Sequence, residues 1–341
     1  MLQFDPNAAV PSDAGIYGLN YTPEEARLIL YPIPWEVTTS SGGGTALAPT
    51  AIKEAGRQVD LCDSELGEFF KPGIAMLPED KRIIKLNRTA RPKAKKVIEV
   101  AGMTQGKPAL TRCVKMVNAA CEELNKLTYA TVRSYLKQGK LVGIIGGDHG
   151  ALFGSMQAVI EHHPSLGILQ IDAHADLRIA FEGFHYSHAS IMYNALTELP
   201  LKKLVQVGVR DLCKQERSMI LRNGGKLHTY FDHDLADRKL GGTTWKTLCG
   251  EIVRELPNEV YISFDIDGLD PALCPGTGTP VPGGLQFHEA IMLLRTLVES
   301  GRKIVGFDLN EVSPKTSWDA NVGSRVLFKL CGWTLRSQNH V

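Results

Sequence analysis

Residues 165–176 read SLGILQIDAHAD, an apolar run that ends abruptly in alternating Asp and His. A short apolar stretch without polar alternation describes a strand buried on both faces, as in a parallel sheet covered by helices. The same grammar repeats on either side. LVGIIG (141–146) and the helical period of ALFGSMQAVIEHH (151–163) come before it. SHASIMYNAL (187–196) and KLVQVGV (203–209) follow, then EVYISFDID (259–267), FHEAIMLLRTLVES (287–300), RKIVGFDL (302–309) and NVGSRVLFKL (321–330). Upstream, EARLILYPIP (25–34) reads as a strand and PTAIKEAGRQV (49–59) as a helix with Pro49 in its first turn. Strands alternating with helical stretches predict an α/β architecture with helices on both faces of a mainly parallel sheet.

The 341 residues allow one large domain or two of ~150 residues, and no Ser-, Gly- or Pro-rich linker divides them. The expectation is an N-terminal extension over 1–24 and one domain over 25–341. Residues 64–110 form a long stretch that could be an insertion, a lid or a subunit contact. Within it, KRIIKLNRTARPKAKK (81–96) is strongly basic and carries Pro92, read here as a helix-interrupting residue in a solvated insertion.

Lys and Arg number 38 against 37 Asp and Glu, and the formal net charge of +1 is too small to draw the chain to nucleic acid or to an anionic membrane. The seven cysteines contain no C-x-x-C, which excludes a zinc ribbon and suits a reducing compartment. The first residues lack a basic segment followed by an apolar one, and no run approaches eighteen apolar residues. These features predict a soluble, cytoplasmic protein with a small-molecule partner.

Ligands of open parallel sheets sit beyond the carboxyl ends of the strands, so the polar residues that follow each apolar run matter most. Three endings carry unusual charge: Gly146-Gly147-Asp148-His149-Gly150, then Asp172-Ala173-His174-Ala175-Asp176, then Asp265-Ile266-Asp267. In extended chain, side chains two apart share a face, so Asp172, His174 and Asp176 can point at one spot, as can Asp265 and Asp267. A single Asp after a strand is more often a helix cap or an Asx-turn. Four carboxylates converging in a crevice, however, would be forced to protonate unless cations sat among them. Two divalent ions offset the four charges. With His149 and His174 as nitrogen ligands, the oxygen-rich set suits Mn and tolerates Co, Fe or Ni better than it suits structural Zn. Such ion pairs make hydroxide available near neutral pH. His185 and His188 follow the second ending, where a histidine could shuttle a proton. Glu311, past the apolar run ending at Leu309, could pair with a cationic substrate, or serve as a buried salt bridge or cap.

GGDHG (146–150), DAHAD (172–176), SFDIDGLDP (263–271) and PGTGTPVPGG (275–284) together resemble the ureohydrolase family of arginases and agmatinases. Weaker similarity reaches back to PWEVTTSSGGGTALAPTAIKEAGRQ (34–58), so the resemblance covers roughly residues 25–335. It implies a three-layer α/β/α arginase-like fold and a binuclear centre of two Mn2+, with Ni2+ or Co2+ as alternatives. One ion would take His149, Asp172, Asp176 and Asp265, and the other Asp172, His174, Asp265 and Asp267. Glu311 falls on the residue that orients the guanidinium, and His188 on the proton relay. The implied reaction cleaves a C–N bond of a small cationic guanidino substrate to release urea and an amine or ammonia, in a homotrimer or homohexamer. DAHADLR with the later SHAS looks most like agmatinases. Leu177, Arg178 and Ile179 stand where arginases have an Asn for the amino-acid head group. DLR also resembles formimidoylglutamases, and Gly150 stands where Ser is common. Guanidine or guanidino-acid hydrolase, formimidoylglutamase and arginase are therefore kept as alternatives, and a catalytically silent regulator as the non-enzyme reading. A metallophosphoesterase would need a downstream Gly-Asn-His element that is absent here, and a zinc deacetylase would not need both His149 and Asp267.

Overall fold

The computed structural model describes residues 10, 11 and 14–339. Eight strands make one sheet: β1 (Leu28–Pro32), β2 (Ile74–Met76), β3 (Leu141–Ile145), β4 (Gly167–Ile171), β5 (Lys203–Val209), β6 (Leu227–Phe231), β7 (Glu259–Asp265) and β8 (Lys303–Asn310). Their spatial order is β2-β1-β3-β8-β7-β4-β5-β6, and every pairing is parallel. The chain leaves β3, skips two places to start β4, runs outward to β6, and only then returns to fill the gap with β7 and β8. Such a reversal of direction leaves a crevice at the carboxyl ends of the strands beside it. Here those strands are β3, β8, β7 and β4.

Ten helices cover the sheet among the described residues. On one face lie α1 (Ala48–Ala55), α7 (Asp232–Leu240), α8 (Trp245–Arg254), α9 (Phe287–Glu299) and α10 (Ser317–Ser337). On the other lie α2 (Lys81–Ile98), α3 (Pro108–Lys137), α4 (Phe153–His162), α5 (Ile191–Glu198) and α6 (Lys214–Arg222). The strands feed both layers alternately: Leu169 and Ile171 of β4 enter the first core, and Ile168 enters the second. This two-sided burial explains why the strands read as unbroken apolar runs.

Pro92 does not interrupt a helix. It lies inside the continuous α2, whose face of Ile83, Ala90, Ala94 and Val97 is buried against the second layer. Burial of that stripe outweighs the roughly 3 kcal/mol an interior proline costs. Most of the basic side chains occupy the solvated face, while Arg91 is partly buried against the loop after β1. The 64–110 stretch therefore supplies the edge strand β2 and the helix α2. Of the expected 1–24 extension, residues 1–9, 12 and 13 lie outside the described residues. Ile16–Gly18 forms a buried 3-10 turn in which the Tyr17 hydroxyl donates to the Ser324 carbonyl at 2.9 Å, anchoring it to α10. No described helix is long and apolar enough to cross a membrane.

Candidate metal centre

All four central strands end in the crevice. Asp148 and His149 follow β3, Asp172 to Asp176 follow β4, Asp265 and Asp267 close β7, and Glu311 follows β8. His149 Nδ1 lies 2.9 Å from Asp176 Oδ2, 3.2 Å from Asp172 Oδ2 and 3.5 Å from Asp265 Oδ2. His174 Nδ1 lies 3.1 Å from Asp267 Oδ2 and 3.6 Å from Asp172 Oδ1. Five of these six side chains form two adjoining sets of potential metal donors that share Asp172, and Asp176 joins the first through its contact with His149.

Local backbone chemistry aims these carboxylates. Asp172 Oδ1 accepts from the His174 amide at 2.7 Å, Asp265 Oδ1 from the Asp267 amide at 2.9 Å, and Asp267 Oδ1 from the Ala173 amide at 3.1 Å. Asp172 and Asp265 each fix a turn with one oxygen, Asp267 ties the end of β7 to the loop after β4, and all three turn the other oxygen toward an imidazole. The Asx-turn and the ligand reading of these residues are therefore compatible, because a carboxylate has two oxygens.

Electrostatics show what the cluster lacks. Burial, and then Asp267 and Asp172, push the Asp265 carboxyl well above its ordinary value. Burial and Asp172 push Asp176 up to about 7. Burial would pull both imidazoles down, yet Asp172 and Asp176 hold His149 well above its usual range, and Asp267 and Asp172 raise His174 to about 12. These groups compete for positive charge, which a divalent cation supplies without protonating its ligands.

The donor set fits metal in a second respect. Ser263 Oγ donates to Asp308 Oδ1 at 3.0 Å, so its contact of 2.9 Å with His149 Nε2 must be one it accepts. His149 then carries hydrogen on Nε2 and offers Nδ1, a buried atom with no hydrogen-bond partner, to the cluster. Such outer partners set tautomer and orientation. Ser263→Ala should weaken manganese affinity about 10–100-fold while the chain stays folded, as calorimetric titration would register. Unchanged affinity would refute the role.

Asp172 has its own support. Gln170 Nε2 donates to Asp172 Oδ2 at 2.7 Å, Gln206 Nε2 to Gln170 Oε1 at 2.6 Å, and Thr229 Oγ1 to Gln206 Oε1 at 2.7 Å. These residues are register neighbours on β4, β5 and β6, so a buried polar ladder crosses three strands to reach one carboxylate. The sequence reading missed Gln170, Gln206, Ser263 and Asp308. A glutamine or serine within an otherwise apolar parallel strand was the available signal.

Two site residues sit in left-handed backbone, Asp176 at φ 54° and Glu311 at φ 61°. Such strain costs roughly 1–3 kcal/mol and is retained where geometry matters more than propensity. Glu311 Oε1 accepts from the His149 amide at 2.8 Å, and its own amide donates to the Gly147 carbonyl at 2.8 Å. The side chain is buried, with Oε2 beside Gly278. Burial and Asp148 push its carboxyl well up.

His188 lines a cavity beside the cluster, with His174 and Asp176. Burial and the two cluster histidines push its imidazole down to about 3, so it is neutral at neutral pH. Its amide donates to Thr38 Oγ1 at 3.1 Å, and Nε2 lies 3.4 Å from Ser40 Oγ. Thr38 also donates twice to Asp148, at 2.9 and 3.0 Å, and Arg91 of α2 braces this loop by donating to the Val37 and Thr39 carbonyls. His185 is elsewhere, in a half-exposed contact of 2.8 Å with Glu198.

Gly150 explains its own presence. A Cβ there would sit 2.8 Å from the His188 nitrogen and 2.8 Å from the Ser187 carbonyl carbon, so any side chain must displace the backbone that carries His188. Gly150→Ser should lower kcat about 10²-fold, as an ångström-scale misplacement does, with metal content retained. Wild-type kcat in the variant would separate His188 from the reaction.

Parallel α/β/α layers with paired His/Asp donor sets at the switch point are the architecture of a metal-dependent hydrolase. The model of the arginase family matches residues 26–332. Over 96% of its length, the chain is 32% identical to an N(1)-aminopropylagmatine ureohydrolase of Thermus thermophilus, 99% of which is covered. It is 37% identical to the proclavaminate amidinohydrolase of Streptomyces clavuligerus over 52% of this chain and 56% of that protein. The solved agmatine ureohydrolase of Thermoplasma volcanium shares the fold at a TM-score of 0.74 and 22% identity, over 97% of this chain and 98% of that one. The chain belongs to the arginase family.

Proposed function

We propose that this chain hydrolyses a C–N bond of a small guanidino compound, agmatinase-like in its reaction, releasing urea and an amine or ammonia. The observation that carries the reading is the pair of His/Asp donor sets sharing Asp172 at the carboxyl rim of the sheet. His149 and Asp176 with Asp172 and Asp265 would hold one divalent ion, and His174 and Asp267 with the same two carboxylates the other. Two Mn2+ suit this set, with Ni2+ or Co2+ as alternatives. When bound, the ions supply Lewis-acid activation of water near neutral pH.

The protein's own residues do the rest. Glu311, fixed through Oε1, orients the guanidinium and pairs with its charge. His188, kept neutral, carries a proton toward the departing amine nitrogen. Water's oxygen ends on the carbon of urea and both of its hydrogens on the departing nitrogen, which leaves as an ammonium ion carrying the substrate's positive charge. Residues 25–341 act as one catalytic unit, with α2 of the 64–110 stretch bracing the Val37–Ser40 loop. Family membership supports a cytoplasmic homotrimer or homohexamer.

Metal analysis together with urea release from manganese-loaded protein tests the proposal. About two ions per chain with urea from at least one guanidino compound is the expected result. A folded chain that takes up no metal and releases no urea would instead be a silent regulator on this fold.

A further inference from the structure

His188 takes its place from a segment that belongs to no helix or strand. Its amide donates to Thr38 Oγ1 at 3.1 Å and its Nε2 lies 3.4 Å from Ser40 Oγ, so both contacts fall on residues 37–40. Just beyond, Gly42, Gly43 and Gly44 all lie in left-handed backbone, at φ 68°, 121° and 96°. Three such glycines in a row leave the path of the segment weakly determined by its own sequence. It has to be held from outside.

Two side chains of α2 hold it. Asn87 Oδ1 accepts from the Glu36 amide at 2.9 Å, and one turn later Arg91 Nη1 donates to the Val37 and Thr39 carbonyls at 3.1 and 2.6 Å. Residues four apart lie on one face of a helix, so the pair acts as a clamp on successive peptides. Val37 and Thr39 are buried, where a carbonyl that loses its donor bears a desolvation cost unless the backbone moves. Arg91 also acts on the other side of His188. Burial pushes the Glu182 carboxyl up and Arg91 draws it back down, and Glu182 follows Phe181, whose ring meets His188 edge-on at 5.8 Å. Among the described residues, none of α2 lines the cavity that His188 faces.

We propose that Arg91 is a positioning residue for the reaction: by fixing residues 37–39 it sets where the His188 imidazole stands, so that turnover depends on a helix that does not line the cavity. This rests on the hydrolytic reading above and adds to it the part played by α2. Arg91 acts on the rate through His188 and leaves in place the metal donors, which follow β3, β4 and β7.

The test is a double-mutant cycle in kcat on the manganese-loaded full chain, with whichever of agmatine, 4-guanidinobutyrate and guanidine it cleaves fastest. Arg91→Met should lower kcat about 10–100-fold, as an ångström-scale misplacement does, with KM changed less than about threefold and metal content retained. Arg91→Lys, whose ammonium can donate to both carbonyls, should recover most of that loss. In a His188→Ala background Arg91→Met should cost nothing further, because both changes take the same imidazole from its place. An equal loss with and without His188, or an unchanged kcat in Arg91→Met, would overturn the proposal. Where Arg91→Met does not fold, Arg91→Gln, which keeps a donor but neither the charge nor the reach, takes its place in the cycle. If no compound releases urea, the hydrolytic reading fails on its own, and hydrogen exchange of the full chain decides about Arg91. Faster exchange in residues 36–40 and 185–190 together in the variant, with 170–176 unchanged, supports the hold on His188, and unchanged exchange at 185–190 overturns it.

Discussion

Asp172→Asn is expected to abolish metal-dependent stabilisation and to lower urea release by on the order of 10³-fold or more, about 4 kcal/mol of transition-state stabilisation. Asp172 belongs to both compact donor groups and, with Asp265, is one of the two carboxylates assigned to both ions, so its charge matters to each, whereas Asp176 or Asp267 serves one. The substitution keeps the volume, and the His174 amide retains an acceptor. Its cost to the fold lies in the contact with Gln170 Nε2, where the side-chain amide of the introduced asparagine would place donor against donor, and in the weakened pairing with the His149 and His174 imidazoles. Against that stands a gain: Asp172 is a cause of the raised values of Asp176 and Asp265, so removing its charge relieves repulsion in the metal-free chain. The melting temperature without metal should therefore change little. Wild-type protein at a manganese concentration about 100 times its Kd should gain roughly 2.7 kcal/mol by mass action, and the variant should gain almost none. A variant that still melts higher with manganese and still releases urea would show that Asp172 holds neither ion.

Glu311→Gln is expected to leave metal content intact and to cost about 10²–10³-fold in kcat/KM, the scale of losing one preorganised charged contact. The introduced glutamine can still accept from the His149 amide, so the contact that positions the side chain survives. Burial beside Asp148 makes the carboxylate unfavourable in the free chain, and a neutral amide removes that penalty. The melting temperature should be equal or higher, because the depressed stability belongs to the charge. Activity lost with stability kept separates pairing with a cation from a structural role. Retention of wild-type kcat/KM would exclude Glu311 from substrate binding.

Much of the site is legible along the chain because its geometry is local. Asp172, His174 and Asp176 share a face by spacing alone, as do Asp265 and Asp267, and each group follows an apolar run that marks a buried strand. Glu311 and His149 are found the same way. The polar ladder from Thr229 to Asp172 and the serine that fixes the His149 tautomer are not. Each depends on which strands or loops become neighbours, and the order β3-β8-β7-β4 places side chains together that stand more than a hundred residues apart. The helix α2 shows the reverse failure. Pro92 carries a strong local preference against helix, and packing of an apolar stripe on α3 overrides it.

The chain's own text determined the parallel α/β class, the rim positions of the acidic and imidazole groups and the need for divalent charge, because strand periodicity and Coulomb repulsion act over a few residues. Only the tertiary structure decided that the ladder of Thr229, Gln206 and Gln170 ends on Asp172, that Ser263 meets His149, and that Gly150 must yield to the backbone of His188. Those facts follow from strand order and loop packing, which are set by burial across the whole molecule and leave no mark on any single segment.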